Sequence, residues 1–200
     1  MTFETRRYLL VMTLAGSLAA ALSACAPVVL GSAVMGTVVA TDRRTSGAQL
    51  EDEGIELRAG SRIRENVGER VHVNVTSYNR RVLLTDEVPN QQDKQLVESI
   101  VSKVDNVQSV VNELAIASIS TLSQRSSDVV ITGRVKAGMI DAKDLVSSAF
   151  KVVTERGTVY LLGRVTQREA TRATEIARSA TGVQKVVRVF ETISEDELRS

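Results

Sequence analysis

The sequence is poor in the side chains that usually carry chemistry. Its 200 residues include one Cys, one His, two Pro and no Trp, and aromatics make up 3%. One Cys excludes an internal disulfide framework. One His and one Cys leave few ligands for zinc. With 25 bases against 24 acids the net charge is +1, which excludes a chain that is basic throughout to neutralise nucleic-acid phosphates. With so few aromatics, the core has to be built from Val, Ile, Leu and Ala. What remains is globular composition, 43% hydrophobic and 24% charged; it fits neither disorder nor a polytopic membrane protein.

The N-terminus stands apart from the rest. Arg6 and Arg7 form a positive segment, and Tyr8 to Leu22 is an apolar run of 15 residues. A spanning helix needs about 20, whereas a short run behind a basic segment has the layout of a secretory signal. The run ends in Leu22-Ser23-Ala24-Cys25. This resembles the bacterial lipobox, in which small residues precede a Cys that is acylated and becomes the first residue. On that reading residues 1–24 are a signal peptide and Cys25 is the lipidation site. Each buried acyl methylene contributes roughly 0.8 kcal/mol of membrane anchoring. Ordinary cleavage near Ala24, leaving a free thiol, is the alternative. The following residue is Ala26, not Asp, which by the sorting pattern of such lipoproteins implies the outer membrane. Residues 25–46 form an apolar tether. Pro27 to Ala40 is too short to span a bilayer; it lies against the membrane, packs on a domain or runs free.

The remaining 176 residues carry 23 bases and 23 acids, and they repeat themselves. Val82-Leu83-Leu84 matches Val159-Tyr160-Leu161 at an offset of 77, and Val107-Gln108-Ser109-Val110-Val111 matches Val183-Gln184-Lys185-Val186-Val187 at 76. Two copies of one unit, 47–116 and 126–195, are therefore expected, joined by a Ser-rich linker at 117–125 and followed by a tail at 196–200. Each copy opens with an amphipathic stretch (Leu50 to Val67, Asp128 to Ala142). Two alternating β-branched runs follow, then a helical-period stretch and a last strand at 107–115 or 183–193. Gly182 reads as a helix stop, with Asp105-Asn106 in its place in the first copy. The order is αββαβ. The fold class is α+β: in each copy a three-stranded mixed sheet packs on two helices.

The αββαβ unit, the strand ending Leu162-Gly163-Arg164-Val165 and the Gly182-Val183 to Val186 block resemble the BON-domain family. With the lipobox, the whole chain is similar to dual-BON outer-membrane lipoproteins. That resemblance implies a periplasm-facing protein that binds anionic phospholipid, supports outer-membrane integrity and concentrates at division sites. The family favours Gly at the position of Gly163, and the first copy has Asp86 there. If that backbone needs a positive φ, Asp is a strained substitute; otherwise Asp86 sits in an ordinary bulge.

Charge separates the copies. The first has 8 bases and 12 acids, the second 11 bases and 8 acids. Phosphatidylglycerol or cardiolipin should prefer the second, and opposite signs favour docking of one copy on the other. On the second copy's first helix, Ile131, Val135, Gly138 and Ala142 share the face expected to be core. Val130, Gly133, Ala137 and Ile140 fall outside it, flanked by Arg134 and Lys136. Exposed apolar groups between cations suit a membrane interface, although single exposed apolar residues and solvated basic flanks are also ordinary. The resemblance points to the same helix, so Val130, Arg134, Lys136 and Ile140 are the expected phospholipid contacts, with Gly163 and Gly182 as structural glycines.

Enzyme chemistry finds no support. His72, in the alternating run Val71-His72-Val73, reads as a polar-face residue. Glu51-Asp52-Glu53 reads as a solvated helix start, and no glycine-rich phosphate cradle is present. No catalytic residue, metal, cofactor or nucleic-acid partner is expected. The competing function is that of an adaptor for an envelope protein: an assembly factor, a protease or the division amidase system.

Overall fold

The computed structural model describes residues 42–198. The signal segment, Cys25 and the tether up to residue 41 lie outside the described residues. The first copy runs α1 (Ser46–Val67), β1 (His72–Tyr78), β2 (Arg81–Val88), α2 (Gln91–Val101), β3 (Ser109–Asn112) and β4 (Ala115–Ile116). The second runs α3 (Leu122–Asp141), β5 (Phe150–Glu155), β6 (Thr158–Thr166), α4 (Gln167–Ser179) and β7 (Lys185–Ile193). The α+β repeat is therefore present in both halves.

Local chemistry explains the boundaries. Thr45 caps α1 by accepting from Ala48 N, and Asn90 caps α2 by accepting from Asp93 N. Capping boxes open α3 (Thr121 with Gln124) and α4 (Thr166 with Glu169), each pairing two otherwise orphaned helix donors. The hairpins turn at Asn79-Arg80 (φ 49° and 66°) and Arg156-Gly157 (φ 51° and 73°). Two successive left-handed residues give a turn whose twist matches that of the flanking strands.

In each copy the second strand is central. It is antiparallel to the first strand and parallel to the last. The helices cover one face. Ile55, Ala59, Ile63 and Val67 recur every fourth residue along α1 and pack with Val82, Leu84, Val88, Val97 and Val101. Ile131, Val135 and Met139 of α3 pack with Val152, Val159, Leu161 and the small Ala170, Ala173 and Ala177 of α4. The other faces of the two sheets meet. Tyr78 and Leu83 of the first copy form one buried cluster with Tyr160, Leu162 and Val189 of the second. Central strands buried on both faces lose alternation and read as continuous apolar runs, as Val82-Leu83-Leu84 and Val159-Tyr160-Leu161-Leu162 do.

Several expectations need adjusting. Helix α1 begins at Ser46 and α3 at Leu122, because Thr45 and Thr121 supply caps upstream of the first apolar residues; the end of the Ser-rich linker, from Leu122 on, is helix. Ala142 is the C-cap of α3, not core, and Met139 takes that place. Gly182 (φ 99°) lies in the turn beyond α4, which ends at Ser179. The first copy's last strand is split between β3 and β4. There β2 pairs through Leu84 with β3 and again from Glu87 with β4, and the ladder lapses opposite Asp86. Asp86 has φ 79°, which turns its backbone groups out of line. In the second copy β6 pairs with β7 without a break from Thr158 to Thr166.

Candidate functional site

Helix α3 presents the second copy's outer face. Asp128, Ile131, Val135 and Met139 point inward. At about 100° per residue, Val130, Gly133, Ala137 and Ile140 form the opposite stripe, and Val130 is 51% and Ile140 69% exposed. Arg134 and Lys136 border it on either side and are exposed. Arg134 donates to the Thr181 carbonyl at 2.9 Å, which ties that cation to the turn after α4. Lys136 and Ile140 edge a cavity of about 240 Å³ with Ser147, Phe150 and Val152. The four expected contact residues thus share one surface. Among the described residues no helix is long and apolar enough to cross a membrane.

The glycines have different reasons. A Cβ on Gly163 would stand 2.7 Å from the Ala149 carbonyl oxygen. Close backbone approach, not a positive φ, therefore requires glycine there. Gly182 needs both: its φ is 99°, and a Cβ would meet Ile131 Cγ1 at 2.9 Å.

Asp52 corrects the reading of a solvated acidic triplet. It is buried and caps the first hairpin, accepting from Asn79 N at 2.7 Å, Arg80 N at 2.8 Å and Ser77 Oγ at 2.6 Å. These donors and Arg44, at 2.8 Å, hold its carboxyl below the usual range against the cost of burial. Asp128 does the same in the second copy, accepting from Arg156 N at 2.9 Å and Gly157 N at 2.8 Å.

Charges stitch the sheet-to-sheet seam. Lys151 pairs with Glu56 at 2.9 Å, Arg156 with Glu87 at 3.1 Å and Lys185 with Glu113 at 3.7 Å. In each pair the acid comes from the first copy and the base from the second. Arg81 donates to the Phe190 carbonyl at 3.0 Å, and Tyr78 Oη to the Ala149 carbonyl at 3.3 Å. The segment before α1 straps the two copies together. Arg44 stacks 4.1 Å above the Tyr78 ring, while Arg43 makes two 2.7 Å hydrogen bonds to Glu169 of α4. Those bonds hold the buried Glu169 carboxyl at about 2.

At one end of the seam, His72 is wedged between Asp86 and Glu87, not simply on a polar face. Glu155 of the second copy faces Asp86; burial first, and then Asp86, push its carboxyl up to about 8.

A family model, BON domain, matches residues 51–118 and again 127–193. The chain belongs to the BON-domain family. Its two BON domains are the two copies described above, and α3 is the first helix of the second. The chain is 36% identical over 171 residues to the outer membrane lipoprotein DolP of Haemophilus influenzae, covering 84% of this chain and 89% of that one. It is 29% identical over 151 residues to the 21 kDa hemolysin of Actinobacillus pleuropneumoniae, covering 74% and 78%. A solved structure of CdsD, a structural protein of the type III secretion system of Chlamydia trachomatis, is 12% identical and covers 72% of this chain and 94% of that one, with a TM-score of 0.31. That likeness is too slight to bear on function.

Proposed function

We propose that this BON-domain chain is a lipoprotein anchored to the outer membrane through Cys25, facing the periplasm. Its second BON domain binds anionic phospholipid and so helps to maintain the outer membrane, with enrichment at division sites. The observation that carries this reading is the outer face of α3. Val130 and Ile140 are more than half exposed on one stripe, with Arg134 and Lys136 on its borders. Apolar side chains enter the headgroup boundary while flanking cations meet phosphate. The acyl anchor supplies the membrane, and α3 supplies the headgroup preference. The 36% identity to a protein named as an outer membrane lipoprotein supports the location. The chain works by binding, and no step of it is assigned to catalysis.

The test is binding of residues 26–200 to phosphatidylglycerol and phosphatidylcholine vesicles. Near an anionic surface each base contributes about 1 kcal/mol. Arg134→Glu with Lys136→Glu should weaken phosphatidylglycerol binding by about 30-fold or more, and leave the weak phosphatidylcholine binding unchanged. Equal affinity of variant and parent for phosphatidylglycerol would sink the assignment.

A second reading, an adaptor for an envelope protein, is favoured by a groove of about 420 Å³ on the acidic first domain between α2 and β3, lined by Gln95, Glu98, Ser102 and Val110. Site-specific crosslinking from Gln95 to one saturable partner in cells would support it.

A further inference from the structure

Consecutive residues of a strand point to opposite faces, yet the carboxylates of Asp86 and Glu87 both reach one imidazole. Asp86 Oδ2 stands 3.3 Å and Glu87 Oε2 3.4 Å from His72 Nδ1. The left-handed φ of Asp86, 79°, breaks the alternation and makes this possible. That conformation costs a non-glycine residue roughly 1–2 kcal/mol. Strain of this kind persists where surrounding structure imposes it, and it clusters at functional positions.

The cluster also contains a buried carboxylate oxygen that receives no hydrogen bond. The Glu87 side chain is 1% exposed. Its Oε1 pairs with Arg156 at 3.1 Å. Among the described residues, its Oε2 and His72 Nδ1 are buried atoms without a hydrogen-bond partner. A buried oxygen left so is costly, and it lies 3.4 Å from a nitrogen that also makes no hydrogen bond. One atom from each of His72, Asp86 and Glu87 lies within 4.8 Å of the other two. Two donors each about 2.1 Å from a tetrahedral ion stand about 3.4 Å apart, which matches the separation of His72 Nδ1 from each carboxylate oxygen. A cavity of about 270 Å³ opens beside His72 and Asp86 toward Thr154 and Glu155, giving room for water as a fourth ligand.

The repeat supplies an internal control. The positions equivalent to His72, Asp86 and Glu87 in the second domain are Ala149, Gly163 and Arg164, placed by the matching hairpin registers. None offers a metal ligand, and there the ladder between β6 and β7 runs unbroken. The departure from glycine at Asp86 thus coincides with a ligand set found in one copy alone.

We propose that His72, Asp86 and Glu87 bind a divalent transition-metal ion at the end of the seam between the BON domains. An imidazole with two carboxylates suits Zn²⁺ or Mn²⁺ and disfavours Mg²⁺, which prefers oxygen and water throughout. The ion neutralises the carboxylates that crowd the seam and holds the β1–β2 edge of the first domain in place beside Glu155.

The experiment is calorimetric titration of the metal-stripped full chain in detergent with Zn²⁺, alongside His72→Ala and Asp86→Gly, the latter placing the second domain's residue in the first. Binding of one equivalent by the parent, weakened about tenfold or more in both variants, with the His72 ring resonances shifting on Zn²⁺ addition, is the expected result. Far-UV circular dichroism checks that the variants are folded; if one is not, the ring resonances of the parent decide. No saturable binding by the parent, or binding that leaves the His72 resonances unmoved, overturns the proposal.

Discussion

Replacing Asp52 by Ala should be among the most damaging single changes to the first domain. Its carboxylate receives two backbone N–H groups of the hairpin turn, the Ser77 hydroxyl and the Arg44 guanidinium, all within 2.8 Å. Hydrogen bonds to charged groups contribute about 1.5–3 kcal/mol each, but not additively. Removing one partner of a buried pair costs about 3–5 kcal/mol. The expected loss is about 4 kcal/mol. Asp128→Ala is the comparison. It removes two turn bonds against the four bonds that Asp52 accepts, so about 2 kcal/mol is expected. Urea unfolding followed by far-UV circular dichroism measures both. Because Tyr78 and Leu83 share a buried cluster with Tyr160 and Leu162, each variant should still unfold in one transition. A loss below about 1 kcal/mol for Asp52→Ala, or a loss no greater than that of Asp128→Ala, would refute the hairpin-cap reasoning.

Glu169 gives a pH prediction. Its folded pKa, about 2, lies below the ordinary carboxyl value. Its contribution is therefore full above about pH 5 and lost as the pH falls toward 2, and it amounts to about 3 kcal/mol. Glu169→Gln should be less stable than the parent at pH 7, with the gap closing below pH 3; a gap independent of pH would contradict the Arg43 pairing. Gly163→Ala should cost about 1–3 kcal/mol by crowding the Ala149 carbonyl. Gly133→Ala, where an added Cβ meets nothing within 4 Å, should gain about 0.5–1 kcal/mol in thermal or urea unfolding. Lys151 and Glu56 are partly exposed, so a double-mutant cycle on the pair should return about 0.5–1 kcal/mol of coupling.

Much of the fold was legible because the chain contains two versions of it. Apolar spacing in α1 and α3, β-branched runs in the hairpins and matching blocks 76 and 77 residues apart indicated the αββαβ order. The exposed stripe of Val130 and Ile140 followed from helical geometry alone. The role of Asp52 did not, because an acidic triplet at a helix start reads as solvated. The clue was its match to Asp128 at the repeat offset of 76. The Arg43 bond to Glu169 spans 126 residues and has no local signature. Nor does periodicity show that Asp86 takes a left-handed φ and turns its carboxylate toward His72. That geometry follows from packing, and the aspartate in the place of glycine was its only trace.

If α3 is the face that meets anionic lipid, the lipid must perturb its residues before those of any other element. Amide chemical-shift mapping of ¹⁵N-labelled residues 26–200, titrated with phosphatidylglycerol and then phosphatidylcholine micelles, tests it most directly. Saturable shifts are expected at Val130, Arg134, Lys136 and Ile140 with phosphatidylglycerol, weak ones with phosphatidylcholine, and little change along α1. Shifts centred on the first domain, or the same response to both lipids, would contradict it.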